Sequence, residues 1–193
     1  ALRMAQAVRR VPGLSILGLW RRSGDRARQA AAQAGTEPFQ ELDKLLALKG
    51  LSFVLVATES DRHAEAGIAA AGAGHHVLVD KPIDVSPERA EALVRECRER
   101  KVRLGVVSQK RFTPRFRRVK EALDSGALGR PLASTVLVRS HRPDAYFSEG
   151  SGWRGDAARG GGVLLNQGIH WLDLLSWWLG DFESARGFEG ARR

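Results

Sequence analysis

Leu51-Ser-Phe-Val-Leu-Val-Ala57-Thr-Glu-Ser60 and His76-Val-Leu-Val-Asp80-Lys-Pro82 are two apolar runs, each stopping on a polar turn, with the small-residue stretch His63–Ala71 between them. Each run is too short and too uniformly apolar for an amphipathic helix, and reads as a strand buried on both faces. His63–Ala71 reads as a helix. Strand, helix and strand in about 30 residues make one unit of a parallel sheet.

The same grammar extends in both directions. Upstream, Leu14-Ser-Ile-Leu-Gly-Leu-Trp20 predicts a buried strand, and Arg26–Ala34 an alanine-rich helix closed by Gly35. Pro38–Leu48 carries Phe39, Leu42, Leu45 and Leu46 at helical spacing, with Gly50 closing it. Downstream, Ser86 caps a helix with Pro87 at its first position, and Val102–Val107 supplies a further strand. The expected fold over residues 1–110 is therefore α/β, a Rossmann-type doubly wound parallel sheet with helices on both faces. Ligands of such sheets bind at the carboxyl ends of the strands. Those ends are Trp20-Arg21-Arg22-Ser23, Ala57-Thr58, Asp80-Lys81-Pro82 and Ser108-Gln109. After Gly129-Arg-Pro131 the pattern changes. Ala133–Ser140 predicts a β-branched strand, Arg142–Gly162 a loop, Gly162–Leu179 a deeply packed helix, and Phe182–Phe188 the start of another strand. Residues 111–193 thus read as the start of an α+β open-sheet domain.

A chain of 193 residues, 43% hydrophobic, holds one domain and part of a second. Its most apolar stretch, Leu164–Leu179, is broken by Asn166, His170 and Asp173, so no membrane span is expected. No signal peptide is visible, and the lone Cys97 has no disulfide partner, which points to a reducing cytoplasm. Lys and Arg number 31 against 22 Asp and Glu, for a net charge of +9. These cations are spread along helices and mixed with acids, as in Arg89–Arg100, so they read as solvated faces and not as a nucleic-acid groove.

Two features carry chemistry. Lys81 follows a strand directly and projects from its carboxyl end, and the Lys81–Pro82 bond can be cis, fixing the turn. On a helix behind Gly160-Gly-Gly162, Asn166, His170 and Asp173 lie four and three residues apart and share a face. Polar groups on an apolar helix need partners or a wet cavity, which makes His170 a candidate base. A metal is not expected, because Asn is a poor ligand and no second His or Cys joins the face.

Taken together, Asp80-Lys-Pro82 and the Gly160-Gly-Gly…Asn166…His170…Asp173 helix resemble the glucose–fructose oxidoreductase / inositol dehydrogenase (Gfo/Idh/MocA) family. Val11-Pro-Gly13, Leu42–Leu46, Ala57-Thr58 with His63, Asp124–Gly129 and Tyr146…Trp153-Arg-Gly155 extend the likeness over nearly the whole chain. The resemblance implies an NAD(P)-dependent oxidoreductase acting on a sugar, sugar derivative or cyclitol. In it, Lys81 orients the substrate hydroxyl, His170 takes its proton, and Asn166 stands beside them. It further implies cofactor contacts at Trp20, Arg21, Arg22, Ser23, Ala57, Thr58, His63, Asp80, Lys81 and Pro82. Substrate contacts fall at Lys81, Gln109, Tyr146, Trp153, Arg154, Asn166 and His170, and a homo-oligomer is expected. The same family contains glycosidases that borrow the nicotinamide, and a different class is a cofactor-binding regulator without turnover; retention of both Lys81 and His170 favours an enzyme over the regulator.

The chain departs from the family pattern at Asp80, usually Glu, and at Asn166, often Asp. The first strand and its G-x-G-x-x-G loop do not occur in it, since Gly72-Ala-Gly74 lies between a helix and a strand, the reverse of the required order. The expectation is a chain that begins inside the first helix and stops early in the second domain. NAD sites place an acidic residue at the end of the second strand. Here Arg21, Arg22 and Ser23 stand there instead, which suits the 2′-phosphate of NADP better than NAD.

Overall fold

Apolar runs separated by alanine-rich segments fold into short strands, five among the described residues, all parallel where they pair. The computed structural model describes residues 2–149, 151–188 and 190. Gly150, inside the expected substrate loop, and the two ends of the expected domains lie outside the described residues. The elements run α1 (Leu2–Val8), β1 (Gly18–Trp20), α2 (Gly24–Ala34), β2 (Glu37–Phe39), α3 (Leu42–Leu46), β3 (Phe53–Val56) and α4 (His63–Gly72). They continue with β4 (His76–Asp80), α5 (Pro87–Glu99), β5 (Leu104–Val107), α6 (Pro114–Asp124), α7 (Asp144–Ser148), α8 (Ala157–Gly160) and α9 (Ile169–Leu179). Two compact units result, dividing at Val107 and Ser108, with residues 158–160 belonging to the first.

In the first unit β1 pairs with β2, and β4 lies between β3 and β5. A doubly wound sheet has the order 3-2-1-4-5-6. The two small sheets match the 3-2 and 4-5-6 portions of that order, and β1 and β3 each keep one unpaired edge. The core lies where α4 and α5 cover the three-stranded sheet, around Val56, Val77, Val79, Ala70, Ala71, Leu93 and Cys97. Small residues on α4 permit this: a Cβ on Gly67 would stand 2.8 Å from the Leu93 side chain. Cys97 is buried in that core, and burial pushes its thiol pKa up, as befits a packing residue.

Two corrections arise in this unit. Phe39 belongs to β2 and not to a helix over Pro38–Leu48; its ring packs on Gly18, where any Cβ would clash at 2.6 Å, and only Leu42–Leu46 is helical. The strand expected over Leu14–Trp20 is confined to Gly18–Trp20, and Leu14 and Leu17 are exposed. With β2 on one edge and, among the described residues, no strand on the other, only the three residues in register with Glu37–Phe39 are held.

The second unit carries no strand among its described residues. Ala133–Ser140 is irregular, with Leu137 exposed, and so is Phe182–Phe188. β-branched residues make a strand only when a neighbour supplies the other half of the ladder. Nor is the helix after the glycines deeply packed: among α9 residues only Leu174 is buried, and Val163 and Leu164 before it are exposed. α6 packs on α9 through Phe116, whose ring meets Trp171 and Trp178, and whose carbonyl accepts the Trp178 indole N–H at 3.2 Å.

Candidate active site

The first unit gathers its chemistry at the strand ends. After β1, the Trp20 indole donates to the Gln40 carbonyl at 3.1 Å, which fixes the ring. The Arg21 amide extends the β1–β2 ladder by bonding to the Phe39 carbonyl, while its side chain stands exposed. Arg22 is ion-paired with Glu65 of α4 at 2.7 Å. Ser23 caps α2 by position, with no side-chain capping bond. Of the two arginines, Arg21 is therefore the one whose guanidinium is uncommitted.

After β3 come Ala57 and Thr58, both half-buried, and then a 3₁₀ turn leading into α4. His63 opens α4 with 2% of its surface exposed. Its Nδ1 lies 2.7 Å from the Pro82 carbonyl and its Nε2 3.2 Å from that of Thr58. The imidazole is a buried strut between the turns after β3 and β4. A His inside an apolar run is more often consumed by such backbone bonds than left for a ligand.

After β4, the Asp80 carboxylate accepts the Lys81 amide at 2.9 Å, and the Lys81–Pro82 peptide is cis. Lys81 is half-buried, and burial pulls its ammonium pKa below the ordinary value, with the Asp80 charge opposing the shift. Sequence reasoning passed over Asp84, which secures this turn. Its buried carboxylate accepts the Ala64 amide at 3.2 Å, the Ser86 amide at 3.1 Å and the Arg89 guanidinium at 2.8 Å. The signal was present in the sequence as Asp84-Val-Ser86-Pro87, an acid two residues ahead of a helix cap. Arg159, also unremarked, joins Asp61 at 3.3 Å and Glu59 at 3.4 Å, tying residues just before the glycine triplet to the turn after β3.

The second unit holds Asn166 and His170. Gly161 and Gly162 both have φ near +70°, at 69° and 67°, a backbone that β-carbons resist. They feed a π-helical turn, Leu164–Gly168, which precedes α9. The expected continuous α-helix is thus widened at Asn166, and such wide turns are frequent at functional sites. Asn166 Oδ1 accepts the Tyr146 hydroxyl at 3.0 Å and Gln167 Nε2 at 2.9 Å. His170 is half-buried in the first turn of α9. Asp173 does not share a ligand-facing role with them, because Ser108 donates to it at 3.0 Å and Arg111 grips it at 2.6 and 3.0 Å. That clamp and Lys110, 4.6 Å from the Trp171 ring, fasten the turn after β5 to α9. Gln109 is exposed in that turn, while Trp153 and Arg154 form a 3₁₀ turn, half-buried. Among the described residues no three His, Cys, Asp or Glu side chains group as a metal site would, and no helix is long and apolar enough to cross a membrane.

Comparison with known proteins agrees with this arrangement. Residues 2–108 match the model of the "oxidoreductase family, NAD-binding Rossmann fold" and residues 116–193 that of the "GFO/IDH/MocA C-terminal domain". The 1,5-anhydro-D-fructose reductase of Ensifer adhaerens is 30% identical over 89% of this chain and 51% of that enzyme. The NAD(+)-dependent scyllo-inositol 2-dehydrogenase of Bacillus subtilis is 28% identical over 88% of this chain and 48% of its own length. The WlbA dehydrogenase of Bordetella pertussis, whose crystal structure holds NADH and UDP-GlcNAcA, superimposes with a TM-score of 0.81 at 34% identity, over 86% of this chain and 48% of WlbA. The chain spans about half the length of the curated relatives it matches. With a parallel Rossmann-type sheet, a lysine at the end of β4 and a glycine-led helix bearing Asn166 and His170, the chain belongs to the Gfo/Idh/MocA oxidoreductase family.

Proposed function

We propose that this chain serves an NAD(P)-dependent oxidoreductase that moves a hydride between nicotinamide and a hydroxyl-bearing carbon of a sugar, sugar derivative or cyclitol. The observation that carries this reading is Lys81, a partly desolvated cation at the strand end where a doubly wound sheet binds its ligand. The names of the relatives support it: a sugar derivative, a cyclitol and a sugar nucleotide.

The residues after β1, β3 and β4 fit the two ends of a dinucleotide. Arg21 offers an uncommitted guanidinium for a phosphate, and Ala57 and Thr58 present small side chains at the end of β3; the sequence has no G-x-G-x-x-G turn for the pyrophosphate. A bound nicotinamide supplies the hydride acceptor. Lys81 donates a hydrogen bond to the substrate hydroxyl and lowers its pKa, and His170 accepts the hydroxyl proton. Asn166, an amide, orients its neighbours and relays no proton. His63 and Asp84 act at one remove by fixing the turn that presents Lys81. Family membership adds the expectation of a homo-oligomer.

The test is a spectrophotometric screen of the natural-length protein against sugars, sugar derivatives and cyclitols with NAD(H) and NADP(H), in both directions. Hydride transfer with at least one of them is expected, and none would return the protein to a binding or regulatory role. NADP is expected to be the better cofactor. Replacing Arg21 by Asp should swing preference toward NAD by about 10- to 100-fold, since a hydrogen bond to a charged group contributes about 1.5–3 kcal/mol. An unmodified protein that already prefers NAD contradicts the role given to Arg21.

A further inference from the structure

Tyr146 is the centre of a polar cluster that the reaction just described does not explain. The guanidinium carbons of Arg142 and Arg154 each lie 5.1 Å from the centroid of its ring, and Arg154 is also 4.7 Å from that of Trp153. Arg142 Nη2 reaches Gln167 Oε1 at only 3.4 Å, and its Nε is buried with no hydrogen-bond partner. Asn166 Oδ1 is already taken by Tyr146 and Gln167. Of Asp144, which opens α7, and Glu149, which follows it, only Glu149 reaches an arginine of the cluster among the described residues. That contact is 3.7 Å long, and the Glu149 side chain is 73% exposed.

Two cations beside one ring, answered by a single exposed carboxylate, leave a surplus of positive charge and of N–H donors. An orphaned buried donor is costly unless something supplies the missing acceptor. Guanidinium forks match the paired oxygens of carboxylate and phosphate. We propose that Arg142 and Arg154, backed by Tyr146, form a subsite for an anionic substituent of the substrate, a carboxylate or a phosphate, next to the π turn that carries Asn166 and leads into α9. The proposal rests on the reading that this turn borders the reacting carbon, and it narrows the substrate class from sugars in general to acidic or phosphorylated ones.

Glucose, glucuronate, glucose 6-phosphate and UDP-glucose, titrated calorimetrically into the natural-length protein with NADPH present, separate the possibilities. At least one anionic probe should bind tenfold or more tightly than glucose. Tightest binding by glucuronate identifies a carboxylate site; tightest binding by glucose 6-phosphate or UDP-glucose identifies a monoester or a diphosphate. Arg142→Met and Arg154→Met should each weaken that probe about 10- to 100-fold, the weight of one charge-assisted contact, with NADPH affinity unchanged. Arg142→Lys and Arg154→Lys keep the charge without the fork. They should recover part of the loss, which a mere folding defect would not show. Equal affinity for glucose and all three anions, or full anion affinity in both Met variants, overturns the subsite. Absence of NADPH binding and of any hydride transfer overturns instead the reading on which it rests.

Discussion

Lys81 is asked to be partly dehydrated and charged at the same time. Burial favours its neutral amine, so the folded protein holds the proton less tightly than the unfolded chain does. Charged Lys81 therefore costs stability at neutral pH, and the cost fades as pH rises through the lowered pKa toward 10.5, where the unfolded chain also loses the proton. Lys81→Met should melt above the wild type at pH 7, and the gap should narrow as pH is raised. A gap that widens with pH would mean that the ammonium is held by favourable partners rather than penalised by burial. At this scale the sequence was informative about Lys81, Asn166, His170 and Tyr146, because residue type and local pattern single them out. It was silent on Arg111, Arg142 and Arg159, whose partners are set by how turns meet in space, and it marked Asp84 only as an acid ahead of a helix cap. His63 shows the converse: the residue was legible, yet its two carbonyl contacts at Thr58 and Pro82 could not be read from spacing.

Elements were legible where one period dominates. α5 has a Ser86 cap accepting the Arg89 amide at 3.2 Å and Pro87 at its start, as the sequence predicts. β2 was lost inside a helical pattern because Phe39 happens to be in phase with Leu42, Leu45 and Leu46; only its contact with Gly18 decides otherwise. The π turn at Leu164–Gly168 has no sequence period of its own. α4 and α5 pack together over the three-stranded sheet, and Leu93, fully buried against Gly67, is central to that contact. Leu93→Ala should cost about 2–5 kcal/mol, the range for deleting a buried leucine side chain into a cavity. A loss under about 1 kcal/mol by urea titration would show that the two helices close over the gap.

Across the whole molecule, strand order is the quantity that topology rules give in advance and that local pattern does not. The β2-β1 and β3-β4-β5 arrangement follows the doubly wound order, with unpaired edges on β1 and β3. In the 193-residue chain, amides of β4, paired on both sides, should exchange slowest with deuterium, and those of β1 and β2 fastest among the strands. Equal protection across the five strands would indicate pairing that this structure lacks. Lys81 and His170 are the proposed catalytic pair. Steady-state turnover of Lys81→Met and His170→Ala in the natural-length protein tests that assignment most directly. Each variant should lose about 10²–10⁴-fold in kcat, the weight of a general acid–base group, while NADPH affinity stays near the wild-type value. Near-normal turnover by either variant would contradict the assignment.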